Sequence, residues 1–286
     1  MSLRQASYVV AVVEEGSFSR AAARMRVAQP TLSQQVRALE RRLGGPLLER
    51  LGQGVRPTPA GRAFVVEARA AVLSLERAER AAQAVNNGRE GDLEVACVST
   101  VASAMLPDAL RRLRTTNPGV VVRLIEIIHR ELLEAQARAG LGDVAIGPPP
   151  AHWDGPVRVV GEQRFCVVLP EATVATRRGA VRLADLATVP WVLYPPHYGL
   201  ADVVTSACAA AGFTPQAAAV TAQVDTAARL AAAGLGPALV PVGAVPPGLS
   251  RAARPIEPPI VRPVVAYTRG PVTPIVGALL DALMAA

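Results

Sequence analysis

Gln29, Thr31, Ser33, Gln34 and Arg37 crowd into one short stretch, and each can donate or accept hydrogen bonds. Their types suit the edges of nucleic-acid bases. A glutamine can meet adenine through two hydrogen bonds, the threonine methyl can touch the thymine methyl, and an arginine fork fits phosphate or guanine. Short hydroxyls let a helix lie deep in a groove. Leu32, Val36, Leu39 and Leu43 recur between them at helical spacing, which predicts a helix over 30–43 with one buried side. Pro30 suits the first helical position, and Gly44 and Gly45 stop the helix. Taken alone, the pattern fits an ordinary amphipathic helix with a solvated face better.

The neighbouring elements shift that balance. Residues 3–15 predict a first helix, with Ala6, Val9, Val12 and Val13 on one face and Gly16 as its end. Ser17 or Ser19 can cap a short second helix over 20–25, where Ala21 and Ala22 permit close packing. "RVAQ" is a tight turn into the third helix. After it comes "PLLERLGQGVRPTPAG", with Leu47 and Leu48 apolar and Gly52 and Gly54 at a hairpin tip flanked by Arg50 and Arg56. This reads as a helix-turn-helix with a β-wing whose arginines grip phosphate or enter the minor groove.

Composition agrees. The 286 residues are 51% hydrophobic, enough for a sizeable core and about two domains. The net charge is +7 and every basic residue is arginine. Residues 1–58 hold nine arginines against Glu14, Glu15, Glu40 and Glu49, a net +5, which leaves the rest nearly balanced. A basic block on a neutral body implies a polyanion-binding module attached to something else. Cys97, Cys166 and Cys208 lie far apart without metal-ligand spacing, and no neighbouring cysteine could resolve an oxidised Cys208. His129, His152 and His197 are dispersed and read as structural or surface groups. P-loop, GxSxG and HExxH patterns are lacking, so no catalytic residue, cofactor or metal is expected. Without a leader or an apolar run of membrane-spanning length, a cytoplasmic location is expected.

The run "EEGSFSRAAARMRVAQPTLSQQVRALERRLGGPLLER", followed by "PTPAG", resembles the winged helix-turn-helix of LysR-type transcriptional regulators over residues 3–61. Val9, Met25 and Leu48 depart from frequent family choices, apolar for apolar. The resemblance implies that the start of the third helix, Gln29, Pro30, Thr31, Ser33 and Gln34, reads base edges. Arg37, Arg50 and Arg56 would hold phosphates or the minor groove. It also implies double-stranded DNA, a small-molecule effector, RNA polymerase and further copies of the chain as partners, as a dimer or a tetramer built from dimers.

Residues 59–87 form a long helical stretch. Phe64, Ala68, Ala71, Leu75, Ala78, Ala82 and Val85 alternate steps of four and three, a heptad seam kept narrow by alanine. By its pattern the seam could serve its own domain or a second chain; the resemblance favours a dimerisation helix. Residues 86–92, "NNGREGD", read as a hinge.

Strands and helices alternate beyond residue 93 as a βαβαβ run, a second α/β set follows, and a Pro-rich stretch covers 241–263. One helix is expected over 102–116. The expected architecture is an α-rich N-terminal domain (1–58), a linker helix and hinge (59–90) and an α/β effector domain (91–286). The last resembles the two-subdomain periplasmic-binding-protein fold, with halves 91–160 plus 266–286 and 161–265. Ligands in such folds sit at strand C-termini near helix N-termini, which suits an anionic molecule. The candidate junctions are Ser99 and Thr100, Gly147, Tyr194 and Tyr198, and Asp225 and Thr226. Helix capping also explains Ser99, Thr100 and Thr226, and "YPPHYG" can form a surface turn. A DNA-architectural protein without effector response, or an enzyme using the α/β body, are the alternative classes.

Overall fold

The computed structural model describes residues 1–51, 54–86, 91–170 and 179–285. The chain divides into two compact units, Met1–Asp92 with Ala135–Leu141, and Leu93–Glu134 with Gly142–Ala286.

In the first unit, α1 (Leu3–Glu15) starts from a reciprocal cap between Ser2 and Gln5 and ends at Gly16, whose φ of 59° disfavours any side chain. Ser17 caps α2 (Phe18–Arg24). Pro30 lies in the first turn of α3 (Gln29–Leu43), where its missing N–H leaves no bond unmade, and Gly44 closes the helix at φ 79°. Leu32, Val36 and Leu39 are buried against Tyr8, Val9 and Val12 of α1 and Ala21 and Ala22 of α2. β1 (Leu48–Arg50) pairs antiparallel with β2 (Val55–Pro57), Glu49 opposite Arg56. Of the hairpin tip, Gly52 lies outside the described residues.

α4 (Pro59–Asn86) is capped by Thr58, whose Oγ1 accepts from Gly61 N at 3.0 Å and donates to the Pro46 carbonyl at 2.8 Å. Phe64, Val65 and Ala68 pack inside this unit, Ala68 beside Ala6 and Val10 of α1. Arg69 adds an ion pair to Glu14 at 2.8 Å, and Glu14 also holds Arg24 at 2.7 Å. The first third of the heptad stripe is therefore used within the chain. Ala71, Leu75, Ala78 and Ala82 are exposed, Leu75 by 46%. The side chain of Val85 and residues 87–90 of the hinge lie outside the described residues.

The second unit is built on a sheet in the order β10 (Ala253–Pro255), β6 (Val157–Val168), β11 (Val261–Tyr267), β5 (Val144–Gly147), β3 (Gly91–Val98) and β4 (Val120–Ile127), with β9 (Ala238–Pro241) also joined to β6. β3 (Gly91–Val98) and β5 (Val144–Gly147) run parallel, as a βαβ unit requires. The sheet is nonetheless mixed, because β6 (Val157–Val168) and β11 (Val261–Tyr267) return antiparallel. These two long strands cross from one half of the body to the other. The lower part of β6 pairs with β11; its upper part pairs with β9 (Ala238–Pro241) and β10 (Ala253–Pro255). Val264 faces Gly161 but Val265 faces Val159, so Val160 is an extra residue in a β-bulge.

The expected helix over 102–116 is two helices, α5 (Ser99–Ala104) and α6 (Leu106–Thr116). Pro107 has no N–H and its ring crowds the carbonyl four residues back, so the helix breaks at Met105. β4 (Val120–Ile127) and α7 (Arg130–Arg138) follow. The second half adds β7 (Trp191–Leu193) parallel to β8 (Ala217–Val220), with α8 (Ala201–Ala210) and α9 (Val224–Leu230). Trp191 centres its core, fully buried, its indole N–H donating to the Leu186 carbonyl at 3.1 Å. α10 (Pro274–Met284) returns to the first half, where Arg112 donates to the Ala282 carbonyl at 3.3 Å.

Candidate nucleic-acid interface and ligand cleft

The polar face of α3 opens onto a broad groove lined by Gln29, Pro30, Ser33, Gln34, Arg37 and Arg41. Residues 29, 33 and 37, and 30, 34 and 41, follow the helical repeat, so α3 gathers them on one side. Pro30, Gln34 and Arg37 are exposed, Gln29 is half-buried and Ser33 is 7% exposed. Thr31 is exposed but does not line that groove. Arg37 is exposed and has no ion-pair partner among the described residues.

The wing is different. Arg56 Nε donates to Glu49 Oε1 at 2.7 Å across the hairpin, and this bond raises the arginine pKa. A phosphate would have to displace Glu49 or join it. The side chain of Arg50 lies outside the described residues.

Sequence reasoning missed Glu40. It sits on α3, half-buried, and its Oε1 accepts from the N–H groups of Leu47 and Leu48 at 2.9 and 3.1 Å. One carboxylate thereby fixes the base of the wing against the recognition helix. Glu40 also lines the groove, where its charge opposes a polyanion. Glu40→Ala removes the acceptor for two backbone donors, and should cost the N-terminal unit about 1.5–3 kcal/mol in urea unfolding. An unchanged midpoint would show that water replaces the carboxylate without loss.

In the second unit, a cavity of about 490 Å³ opens between the two halves of the body. Val98, Ser99, Thr100, Ile128, Arg130 and Pro148 come from the first half, and Tyr198, Leu200, Asp202, Val203 and Ser206 from the second. Phe165, Ile260 and Arg262 lie at the crossing strands. The Gly199 N–H donates to the Ile128 carbonyl at 3.2 Å, joining the halves beside the cavity.

Of the sequence-derived ligand residues, Ser99, Thr100 and Tyr198 meet in this cavity. Val98 stands at the N-cap of α5 and no side chain caps it, so the Ser99 and Thr100 hydroxyls are not used as caps there. Gly147 lies one residue before the lining Pro148, and a Cβ there would meet the Leu133 side chain at 2.8 Å. Tyr194 does not reach the cavity: its hydroxyl donates to the Leu239 carbonyl at 3.0 Å while its ring stacks on Tyr198. Burial raises the Tyr194 pKa, as it does that of Tyr198, where Glu126 adds to the effect. Asp225 and Thr226 are exposed elsewhere, and Asp225 is held by Arg229 at 2.7 Å on the same helix. Neither residue lines the cavity.

Arg262 had no local signal beyond being a charged residue in an apolar strand. It stands directly opposite Gln163 in the β6–β11 ladder and donates to Gln163 Oε1 at 2.6 Å. Its guanidinium carbon lies 5.6 Å from the centre of the Phe165 ring. Burial first, and the nearby Arg130 charge second, push its pKa down to about 10.

The three cysteines are buried and unpaired. Burial pushes the Cys208 thiol up to about 11, which leaves little thiolate at neutral pH. Among the described residues no group of histidines, cysteines and carboxylates could hold a metal ion, and no helix is long and apolar enough to cross a membrane.

Comparison with known proteins matches both parts. Residues 3–62 fit the bacterial regulatory helix-turn-helix model of the lysR family, and residues 86–286 fit the LysR substrate-binding domain. The transcriptional regulator IlvR of Caulobacter vibrioides is 33% identical over 98% of this chain and 96% of its own. The regulator ClcR of Pseudomonas putida is 32% identical over 84% of this chain and 83% of its own. Among solved structures, CbnR, a LysR family transcriptional regulator, is 27% identical with a TM-score of 0.71, covering 99% of this chain and 98% of that one. Full-length CbnR bound to its target DNA gives 0.70 at 27% identity, covering 99% of both. A polar recognition helix, a wing and a two-lobed body with a cleft thus coincide with two family models spanning nearly the whole sequence, and the chain belongs to the LysR family of DNA-binding transcription regulators with an effector-binding domain.

Proposed function

We propose that residues 1–58 read operator DNA through Gln29, Pro30, Ser33 and Gln34, with Thr31 beside them and Arg37 on the phosphate backbone. The observation that carries this reading is the single groove in which α3 presents these side chains, with Leu32, Val36 and Leu39 buried on the other side. Arg50 and Arg56 extend the contact from the wing, Arg56 after release from Glu49. Residues 59–90 join two copies through the exposed part of the heptad stripe, and residues 91–286 take a small anionic effector in the cleft, beside Ser99, Thr100 and Tyr198. The halves 91–160 with 266–286 and 161–265 meet there. The protein is a regulator rather than an enzyme, and it works in the cytoplasm where its DNA is. The regulators among its relatives and the lack of a catalytic constellation among the described cleft residues support that.

Gln34→Ala should relax preference at one base position by about 1–3 kcal/mol and leave binding to scrambled DNA unchanged. Arg37→Ala should weaken cognate and scrambled duplexes alike and reduce the salt slope by about one. Titrations of both duplexes over a range of salt measure this. Equal weakening of both duplexes by Gln34→Ala would remove that residue from base readout.

A further inference from the structure

Two guanidinium groups face the ligand cleft, and they differ in how their charge is met. Arg130, at the start of α7, pairs with the adjacent Glu131 at 2.9 Å. Asp202, the other acid on the cavity wall, is exposed in the first turn of α8, where water screens it. Arg262 lies on the crossing strand and meets no carboxylate among the described residues. A guanidinium has five N–H donors. Gln163 is the acceptor found for this one, and the Arg262 Nε is buried with none. A desolvated cation so sparsely paired is costly, and a bound anion offsets that cost.

Gln163 is well placed to set its direction. It is 4% exposed and stands opposite Arg262 in the ladder. Its Oε1 accepts from Arg262, while its Nε2 donates to the Thr100 carbonyl at 3.5 Å. One buried amide therefore links the arginine to the first turn of α5, where the Ser99 and Thr100 hydroxyls lie. Phe165 supports the flat face of the guanidinium. The remaining wall is apolar, with Val98, Ile128, Val203 and Ile260.

We infer that Arg262 selects the charge of the effector: it takes a carboxylate of a ligand whose apolar part fills the cleft, and Gln163 is the residue that positions it. This rests on the cleft being the effector site, as proposed above. The fork, met among the described residues by Gln163 and by no carboxylate, favours a planar oxyanion over a neutral amide, which would bring its own N–H groups against the cation. Lysine would supply the charge without the fork.

The test uses the full-length protein and a panel of four- to eight-carbon mono- and dicarboxylates, each beside its primary amide. Affinity is read by calorimetry and thermal shift. The wild type should bind at least one acid about tenfold or more tightly than its amide. Arg262→Gln should remove most of that preference while affinity for the amide holds, and operator binding without ligand should stay as in the wild type. Arg262→Lys should retain part of it. Gln163→Leu should weaken the acid by several-fold and spare the amide, since the charge remains but is no longer aimed. An undiminished preference for acid in Arg262→Gln overturns the assignment and leaves the cleft as the effector site. Amides bound as well as acids by the wild type overturn the charge selection alone. A wild type that binds no member of the panel overturns the cleft reading and this inference together. Should Arg262→Gln fail to fold, Arg262→Lys and Gln163→Leu carry the same acid-to-amide ratio, and an unchanged ratio in both overturns the proposal.

Discussion

Gly61→Ala should abolish operator binding by unfolding the N-terminal unit, although alanine is ordinarily favoured over glycine in a helix by about 1 kcal/mol. A Cβ at this position would lie 1.9 Å from the Leu47 carbonyl oxygen and 2.9 Å from its carbon. The obstacle is backbone, and that backbone is held on several sides. The Leu47 carbonyl accepts from Thr58 N at 2.9 Å, the Leu47 N–H is held by Glu40, and Pro46 is bonded to Thr58. Making room means parting α4 from the base of the wing. The expected loss exceeds about 4 kcal/mol, in the range reserved for severe core disruption. Trp153 and Trp191 both lie in the second unit, so tryptophan fluorescence should report an intact body while helix content and DNA binding fall. A Gly61→Ala protein with wild-type operator affinity would show that the contact at residue 47 relaxes freely.

Leu75→Arg should convert the protein to monomers and lower operator affinity by about a hundredfold or more, the scale of avidity lost when two linked contacts become one. Leu75 is the largest of the exposed stripe residues, flanked one heptad step either way by Ala71 and Ala78. In one chain it touches little, so the substitution should not harm the fold. An arginine four residues before Glu79 also suits an isolated helix. Between two copies, however, it places like charges on a narrow seam. The added charge would by itself strengthen attraction to DNA, so a loss of affinity cannot come from electrostatics. Sedimentation and operator titration measure both effects. A dimer that persists in Leu75→Arg would move the interface away from this stripe.

The N-terminal unit was readable because its signals are local. Gly16 and Gly44, Ser17 and Pro30 mark helix ends within a residue or two of where the bonds place them, and the apolar ladder of α3 identifies its buried side. Sequence could not show that Phe64 and Ala68 are used against α1 while Leu75 is left exposed, since both satisfy the same heptad. In the body, β8 carries alanine where strands favour branched or aromatic residues, and its pairing with β7 gives no local sign. The cleft was legible at the first strand-to-helix junction, Ser99 and Thr100, and at Tyr198. Ser99–Thr100 and Asp225–Thr226 look alike as sequence, yet the first pair lines the cavity and the second does not. Arg262 and Gln163 stand ninety-nine positions apart, and only the long antiparallel ladder joins them.

That ladder bears on how the body could respond to a ligand. The two halves share β6 and β11 as continuous hydrogen-bonded strands, so a change in their angle must flex a two-strand ribbon. A ribbon resists bending elastically, with a cost that rises with the square of the angle. The unpaired Val160 is a notch in it, and compliance concentrates at a notch. Arg262 lies three residues from the shift in register. A ligand drawn to that arginine would push close to the pivot, where small displacements give the largest rotation of the far ends.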